Sequence, residues 1–401
     1  MEAAAHAGPD GGARPAGRAV PVVGVVGGGQ LALMLGEAAG AAGCELRVLA
    51  RPADESVRDA RAVVGDATAE HLLPFAAGVD VLTFENEKIA PEVLDALGAR
   101  HVVMRPSAAT LGFSDKASQR ERLAPLGFPV PRFAVAATPA DVRAAAAAIG
   151  YPVVCKSARD GYDGKGVVTV AAEAGVDDAL ASIPPGPVVV EPFLELEREL
   201  AVLVVRRPSG ELRTYPVVET VQIEGMCREV VAPARVADAV AARAVEVATG
   251  IAEAVDAVGV LAVELFVAGG EVLVNELAPR VHNSGHLTIE AARTSQFVNH
   301  LRAVLDRPLG DTTLDVPAVM ANVVGDTALV DPRDRLAHVV VPEGAFVHLY
   351  GKTPRPGRKI GHVTVLAPDG DVVTARRIAW RLALDLGGAP QGAPLDLVES
   401  R

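Results

Sequence analysis

Residues 21–50 read PVVGVVGGGQLALMLGEAAGAAGCELRVLA, and the fold class follows from their pattern. An apolar run leads into three consecutive glycines, and an Ala- and Leu-rich segment then leads into a second apolar run. This order is typical of a strand, a glycine turn, a helix and a second strand. We therefore predict an α/β protein whose first domain is Rossmann-like.

The glycine turn allows two interpretations. Gly27, Gly29 and Ala32 satisfy the G-x-G-x-x-A pattern of dinucleotide-binding folds, which favours an NAD(P)-dependent oxidoreductase. However, the second strand ends in residues 49–51, Leu-Ala-Arg, without an acid placed to hold a ribose 2′-hydroxyl. The same turn could equally hold another anion, so both interpretations stay open.

Composition limits the classes of protein and of partner. The chain has 401 residues, of which 50% are hydrophobic and 22% charged, as expected of a globular protein with about two to three domains. Its net charge of -12 opposes binding to nucleic acid or to an anionic membrane. The three cysteines form no CxxC pair and no apolar run reaches membrane-spanning length, so we expect a cytoplasmic protein. Residues 1–19 are expected to form a disordered tail.

A second glycine-rich segment, GYDGKG at residues 161–166, lies between two predicted strands. Glycines let backbone N–H groups surround phosphate oxygens, and Lys156 and Lys165 add positive charge. The segment is not a Walker A motif, because neither Ser nor Thr follows the lysine. A solvated hairpin loop is the alternative. Phosphate binding is favoured because Lys156 lies in a strand, where a lysine is costly unless an anion meets it.

Residues 260–279, VLAVELFVAGGEVLVNELAP, predict a hairpin with two acids on its strands. A three-residue loop or a bulge would place Glu264 opposite Glu276, whereas a strict two-residue turn would place them on opposite faces. Facing carboxylates repel by about 4 kcal/mol at about 4 Å and an effective dielectric constant near 20. A shared proton or a divalent cation would relieve this, and the oxygen of Asn275 favours magnesium. Two solvated edge carboxylates are the alternative.

The hairpin continues into NELAPRVHNSGH at residues 275–286, where two histidines stand four positions apart. This spacing suggests a zinc pair on a helix, but residues 283–285, Asn-Ser-Gly, make a poor helix interior. We predict that a helix starts only near Thr288 and runs through TIEAARTSQFVNHLRAVL. His282, Asn283 and Ser284 would then form a loop ahead of a helix N-terminus, which suits a phosphate or a sugar.

Residues 351–359, GKTPRPGRK, hold four basic groups, two prolines and no acid. Such a segment could be a solvated basic loop. We favour a clamp for a ribose phosphate, because its charge is opposite to the net charge of the chain.

Taken in order, these stretches resemble the ATP-grasp enzymes and, within that superfamily, the 5-(carboxyamino)imidazole ribonucleotide synthases, the ATPase subunits of phosphoribosylaminoimidazole carboxylase. The matching stretches are GVVGGGQLALML, TFENE, GYDGKG, VEPFLELEREL, VVAPA, NELAPRVHNSGH, TSQF and YGKTPRPGRKIGH, from about Val22 to Val365. The resemblance implies an α+β ATP-grasp fold in three parts. They are an N-terminal Rossmann-like domain at 20–125, a small central lid domain at 126–200, and a C-terminal ATP-grasp domain at 201–401 with a small β-rich terminal subdomain.

The resemblance also implies an activity. In that family, ATP phosphorylates bicarbonate to carboxyphosphate, which carboxylates 5-aminoimidazole ribonucleotide in de novo purine biosynthesis and leaves ADP and phosphate. The chain would then be an ATP-dependent carbon–nitrogen ligase that uses ATP and Mg²⁺ and forms a homodimer.

Site residues are carried over by position. The nucleotide-binding residues that the resemblance implies are Lys116, Lys156, Gly161, Tyr162, Asp163, Gly164, Lys165, Gly166, Val167, Glu191, Pro192, Phe193, Leu194, Glu199, Gln222, Asn275 and Glu276. Magnesium would be held by Glu264 and Glu276. The ribonucleotide-binding residues are Gln30, Glu85, His282, Asn283, Ser284, Lys352, Arg355 and Arg358. The catalytic residues are Asp163, for the amine proton, Lys352, for carboxyphosphate, and Tyr162.

Several alternatives stay open. Asp160 stands where the family often has glycine, and its carboxylate would repel ATP unless Arg159 pairs with it. A related ligase with another amine acceptor, or a formate- or biotin-dependent ligase on the same scaffold, is therefore an alternative. A non-catalytic nucleotide-binding regulator and an oxidoreductase are the others.

Overall fold

The structure is a computed structural model that describes residues 20–57, 59, 61–159, 161 and 165–388, and it contains three β-sheets. The predicted tail at 1–19 lies outside the described residues. Among the residues that are described, no helix combines the length and the apolarity needed to cross a lipid bilayer.

The first sheet is parallel and has the strand order β3-β2-β1-β4. Its elements are β1 (Val22–Val26), α1 (Gln30–Ala42), β2 (Glu45–Ala50), β3 (Ala62–Val64), α2 (Ala69–Ala76), β4 (Val81–Phe84), α3 (Pro91–Ala99) and α4 (Ala108–Leu111). Every residue of β1 is buried, as expected for a strand that is covered on both faces. Gly27 has a φ of 105°, which lets the chain turn sharply from β1 into α1. The predicted α/β start is therefore confirmed.

The second sheet is antiparallel, with the order β5-β8-β6-β7. After helix α5 (Lys116–Leu123), its elements are β5 (Ala134–Ala136), α6 (Pro139–Ile149), β6 (Val153–Ser157), β7 (Val167–Val170), α7 (Val176–Ala181) and β8 (Val188–Pro192). Thr138 and Asp141 form the capping box that starts α6. As predicted, the second glycine-rich segment joins two strands rather than a strand and a helix.

The third sheet has nine strands in the order β14-β13-β9-β11-β12-β15-β17-β16, with β10 paired to β9. Its elements are β9 (Arg198–Arg206), β10 (Leu212–Thr214), β11 (Val218–Ile223), β12 (Met226–Ala232), α8 (Asp238–Ala254), β13 (Gly259–Ala268), β14 (Glu271–Ala278), α9 (Thr288–Ala291), α10 (Gln296–Val304), β15 (Ala318–Val324), α11 (Pro332–Leu336), β16 (Ala345–Leu349), β17 (Lys359–Leu366) and α12 (Val372–Gly387). A single apolar core unites α1, α10 and β9, which fixes the first sheet against the third.

The single helix predicted from Thr288 is wrong, because α9 and α10 are separate. Ala292 adopts an extended conformation and pairs with Leu314 across a β-bridge. The side chain of Ser295 then starts α10 by accepting a hydrogen bond from the N–H of Val298 at 3.3 Å. Residues Asn283–Gly285 ahead of α9 form one 3₁₀ turn, so the two histidines that flank it do not share a helix face.

Candidate active site

Residues from all three sheets line one cavity of about 1090 Å³. This is above the usual volume range for a site that holds a single small molecule, so it has room for more than one ligand. The predicted site residues that line it are Gln30, Glu85, Lys116, Lys156, Gly161, Lys165, Val167, Glu199, Gln222, Glu264, Asn275, Glu276, His282, Asn283, Lys352, Arg355 and Arg358. Thus the fold gathers side chains that are up to about 300 positions apart in the sequence into one site.

The other predicted residues do not line this cavity. They are Gly166, Glu191, Pro192, Phe193, Leu194 and Ser284. Ser284 is buried, and its hydroxyl lies 2.9 Å from Nδ1 of His282, so it supports that histidine rather than facing a ligand. Tyr162, Asp163 and Gly164 lie outside the described residues, as does Asp160.

The hairpin of β13 and β14 brings the two predicted metal ligands together. Its turn has two residues, since Ala268 pairs with Glu271, so the three-residue loop is wrong. A bulge after Glu264 instead shifts the register, and Glu264 pairs directly with Glu276. The other interpretation of the sequence, which required a bulge, is the one that holds.

The two carboxylates are unevenly compensated. Lys116 Nζ lies 2.7 Å from Oε1 of Glu276, whereas Glu264 has His282 Nε2 at 3.3 Å and Asn275 Nδ2 at 3.4 Å. Burial and the adjacent Glu276 raise the pKa of Glu264 above its ordinary value. The Glu264 carboxylate is therefore short of positive charge.

His282 is a neutral donor toward Glu264. Burial, with the nearby Arg280 and Lys359, lowers the pKa of His282 to about 3. Its Nδ1 accepts a hydrogen bond from the Ser284 N–H at 3.3 Å, which leaves the ring proton on Nε2, facing Glu264. A neutral imidazole cannot cancel the charge of the carboxylate pair.

These donors fit a magnesium ion better than zinc. In the part of the chain that the structure describes, no three His, Cys, Asp or Glu side chains are grouped to hold a metal ion. Two carboxylates beside lysines instead suit a hard cation that takes its remaining ligands from phosphate and water. His286 is fully buried, its ring packs against Phe297 and His362, and its Nδ1 lies 3.3 Å from Nε2 of Gln296.

Beside this pair lies an ion cluster that the sequence interpretation missed in part. Glu191 is bound at one oxygen by Arg120 Nε at 2.6 Å and at the other by Lys156 Nζ at 2.8 Å. Lys156 thus has a carboxylate partner within the chain, and phosphate binding by this lysine stays a prediction. The side chain of Glu191 is thus taken up by two cations, and the predicted position of residues 191–194 along the adenine would rest on the backbone at Glu191.

At the other end of the cavity, acidic side chains fill the first glycine turn. The N–H of Gly28 donates to Oδ2 of Asp54 at 3.2 Å, and a Cβ on Gly29 would lie 2.2 Å from Oε1 of Glu85. The turn is therefore packed against carboxylates, where a dinucleotide pyrophosphate would be repelled. This geometry disfavours the oxidoreductase.

The basic segment 351–359 does have an acid, supplied from elsewhere in the chain. Glu55, in the loop after β2, accepts from the N–H of Thr353 at 3.0 Å, from its hydroxyl at 2.8 Å and from Arg358 Nη1 at 2.6 Å. A second such pair lies in the same cavity, where Arg280 Nε is 2.6 Å from Oε2 of Glu87. These pairs fix the geometry of a basic site within an acidic protein.

Lys352 reaches from this segment to the first sheet, where its Nζ donates to Oε1 of Gln30. Burial lowers the pKa of Lys352 to about 8, although the neighbouring Glu85 opposes the shift. The ammonium group is thus charged at neutral pH and loses its charge as the pH rises through about 8.

This shift predicts a pH dependence for any anion that binds beside Lys352. We expect kcat/KM for an anionic substrate at this end to fall above pH 8, by up to about tenfold per pH unit, because only the protonated lysine attracts it. The measurement is kcat/KM for 5-aminoimidazole ribonucleotide, the ligand that the resemblance implies, between pH 6.5 and 9.5. The matched control is Lys352→Arg, which stays charged, and its profile should be flat near pH 8. If kcat/KM of Lys352→Arg still falls above pH 8 as it does in the wild type, Lys352 is not the group that causes the decline.

Three family models match consecutive parts of the chain. They are the ribonucleotide synthetase preATP-grasp domain at residues 20–114, the ATP-grasp domain at 121–297 and the phosphoribosylaminoimidazole carboxylase C-terminal domain at 318–376. These matches confirm the predicted fold class, an ATP-grasp protein with a preceding Rossmann-like domain.

Named relatives match over nearly their whole length. The N5-carboxyaminoimidazole ribonucleotide synthase of Mycobacterium bovis is 46% identical over 362 residues, which cover 87% of this chain and 84% of that one. The protein of the same name from Synechococcus elongatus is 42% identical over 354 residues, with 86% and 89% covered.

Solved structures agree. The carboxyaminoimidazole ribonucleotide synthase of Aspergillus clavatus in complex with ATP superposes with a TM-score of 0.84 at 34% identity, over 92% of this chain and 98% of that one. A complex of the Aspergillus clavatus synthase with ADP and 5-aminoimidazole ribonucleotide gives a TM-score of 0.83 at 32% identity, with 91% and 98% covered. By sequence, by domain composition and by fold, this chain belongs to the N5-carboxyaminoimidazole ribonucleotide synthase family of ATP-grasp enzymes.

Proposed function

We propose that the chain is an ATP-dependent carbon–nitrogen ligase that carboxylates 5-aminoimidazole ribonucleotide with bicarbonate. The product is N5-carboxyaminoimidazole ribonucleotide, an intermediate of de novo purine biosynthesis, and ADP and phosphate are released. One observation carries the proposal. A single cavity is lined both by the Glu264–Glu276 pair with its lysines and by Lys352 and other residues of the basic segment 351–359. A relative has been solved in complex with ADP and 5-aminoimidazole ribonucleotide, which supports a site for these two ligands.

ATP would bind at the carboxylate end. Lys116, Lys156 and Lys165 all line this part of the cavity and would attract the triphosphate, together with backbone N–H groups of the loop 161–167. Burial raises the pKa of Glu199 to about 7, so its carboxylate is partly ionised at neutral pH and can accept hydrogen bonds from ribose hydroxyls. Gln222 lines the same end and has both a donor and an acceptor for the nucleotide.

Mg²⁺ would be held by Glu264 and Glu276, with the amide oxygen of Asn275 beside them. When bound, the ion supplies positive charge that offsets the developing charge on the transferring phosphoryl group. Its charge would also offset the burial and the repulsion from Glu276 that together raise the pKa of Glu264. The protein itself supplies mainly position and charge, since phosphoryl transfer needs little covalent help.

The chemistry would proceed in two parts. An oxygen of bicarbonate attacks the γ-phosphorus of ATP, the bond to ADP breaks, and carboxyphosphate forms. Carboxyphosphate then yields carbon dioxide and phosphate, and the amine nitrogen of the ribonucleotide bonds to the carbon and loses a proton. Lys352 would steady the anionic intermediate, and His282, Asn283, Arg355 and Arg358 would hold the ribonucleotide. Asp163 remains our candidate for the amine proton, and Tyr162, which precedes it in the sequence, is a further catalytic candidate.

We further propose that the protein works in the cytoplasm as a homodimer, which is what the family resemblance implies. The chain mass is 41.3 kDa, so light scattering on a size-exclusion column should give a mass near twice this value. A monomer mass at micromolar concentration would contradict the dimer.

A substrate-omission assay tests the activity. ADP and the carboxylated ribonucleotide should appear together, and only when ATP, Mg²⁺, bicarbonate and 5-aminoimidazole ribonucleotide are all present. Equal ADP release without the ribonucleotide would point to another acceptor. ATP binding without turnover would indicate a regulator, and saturable binding of NADPH would revive the oxidoreductase.

A further inference from the structure

Arg120, on α5, is almost completely buried although it carries a full charge, with 1% of its surface exposed. Its guanidinium makes three hydrogen bonds: Nε to Oε1 of Glu191 at 2.6 Å, Nη1 to Oε1 of Gln119 at 2.8 Å, and Nη2 to the carbonyl oxygen of Asn275 at 2.8 Å. These partners lie on the second sheet, on α5 and on the third sheet. A buried charge with this many partners is built into the site rather than placed there by chance.

The charges around Glu191 do not balance. One carboxylate is shared by two cations, Arg120 and Lys156, and the side chains of all three residues are at most 8% exposed. Lys156 also donates to the side-chain oxygen of Asn275 at 3.0 Å, next to Glu276. The cluster thus holds one excess positive charge in a place where an unpaired charge is costly.

The three side chains also influence one another's protonation. Burial lowers the pKa of Lys156, Glu191 opposes that shift, and Arg120 adds to it. Burial acts to raise the pKa of Glu191, but the two cations hold it below its ordinary value. The three side chains therefore act on one another directly, and Lys156 is the one of them that lines the cavity.

We propose that Arg120 is a positioning residue for the nucleotide, and that it neutralises Glu191 so that the charge of Lys156 is left for the triphosphate. Without Arg120, Lys156 and Glu191 would form a neutral pair. The positive charge of Lys156 would then be unavailable to the triphosphate, although the lysine itself is still present. Arg120 also fixes the backbone of Asn275 next to the metal ligand Glu276. The inference rests on the proposed function in one respect, which is that the ligand is ATP.

The alternative is that Arg120 has a purely structural role, in which its hydrogen bonds only hold β8 and β14 together. A double-mutant cycle of Arg120 and Glu191 separates the two roles. Glu191→Gln removes the carboxylate that Arg120 neutralises, and the glutamine has nearly the same size and shape as the glutamate. In the double variant Arg120→Met/Glu191→Gln, Glu191 no longer cancels the charge of Lys156. The net charge of the cluster therefore returns to its wild-type value, although every hydrogen bond of Arg120 is lost.

The experiment measures the Kd for ATP with Mg²⁺ by calorimetry and the KM for each substrate. Arg120→Met should weaken ATP binding about 30-fold or more. The double variant should return to within about fivefold of wild type, and Glu191→Gln alone should bind ATP at least as tightly as wild type. The KM for the ribonucleotide should change less than about threefold throughout. A double variant no better than Arg120→Met would overturn the inference.

Two further variants control for the general effect of losing an ion pair and for misfolding of Arg120→Met. Arg335→Met breaks a partly buried ion pair with Asp326 that does not line the cavity, and its ATP affinity should match wild type. If Arg120→Met does not fold, as judged by its melting temperature, Arg120→Lys decides. It keeps the charge and should bind ATP within about fivefold of wild type, and a loss of 30-fold or more would overturn the charge role. Wild-type protein that fails to bind ATP would refute the proposed function as well, whereas intact wild-type binding with no rescue refutes only this inference.

Discussion

Replacing Glu276 with Gln should lower kcat/KM for ATP by about 10²- to 10³-fold. The substitution keeps the size of the side chain but removes one of the two facing carboxylates. The metal ion would then have only one carboxylate ligand from the hairpin. Lys116, whose Nζ lies 2.7 Å from Oε1 of Glu276 in the wild-type chain, would also lose its anionic partner. The concentration of Mg²⁺ needed for half-maximal rate should rise in parallel, which a steady-state titration of Mg²⁺ at fixed ATP measures.

The control for this substitution lies on the same strand. Glu271 begins β14 and is exposed at the turn, so Glu271→Gln removes one charge from the same hairpin without touching the cavity. Its rate and its Mg²⁺ requirement should equal those of wild type. A Glu276→Gln enzyme with an unchanged Mg²⁺ requirement would show that the carboxylate pair does not hold the metal.

Replacing Lys352 with Ala should raise the KM for the ribonucleotide about 10²-fold while the KM for ATP changes less than about threefold. The ammonium group extends from the basic segment and donates to Gln30, whereas the predicted ligands of the metal ion are Glu264 and Glu276. Loss of a buried, charge-assisted contact to a phosphate or carboxylate costs about 2–5 kcal/mol. Only the substrate that touches Lys352 should show that loss.

The comparison uses initial rates with each substrate varied in turn. Arg333→Ala serves as the control, because it removes a cation of which 71% is exposed and which lies outside the cavity. It should leave both KM values at the wild-type level. A matched rise in both KM values for Lys352→Ala would contradict the assignment of this lysine to the ribonucleotide end.

The hairpin of β13 and β14 has one feature that the sequence predicts, its turn, and one that it does not, its bulge. Gly269 and Gly270 have φ values of 58° and 76°, as a two-residue type I′ turn requires, and a Gly-Gly pair is a known signal for it. The bulge after Glu264 has no such local signal. It is held by contacts from outside the hairpin, since Arg120 binds the carbonyl of Asn275 and the N–H of Val274 donates to Pro129 at 2.7 Å.

The same limit explains the other differences. The break between α9 and α10 depends on Ala292 pairing with Leu314, a residue outside the predicted helix. Glu55 and Thr353 meet although 298 positions separate them, so the acid that orders the basic segment could not be found within it. Motifs whose chemistry is local, such as the glycine turns, the carboxylate pair and the basic segment, were by contrast predictable from residue type and spacing.

Oxygen labelling tests the central claim most directly. The enzyme is mixed with ATP, Mg²⁺, the ribonucleotide and fresh ¹⁸O-bicarbonate, and the released phosphate is analysed by mass spectrometry before bicarbonate exchanges its oxygen with water. If bicarbonate attacks the γ-phosphorus, each phosphate should carry one ¹⁸O atom and each should be matched by one carboxylated ribonucleotide. Unlabelled phosphate would mean that water attacks ATP instead, and it would contradict the account of this site as one that carboxylates through carboxyphosphate.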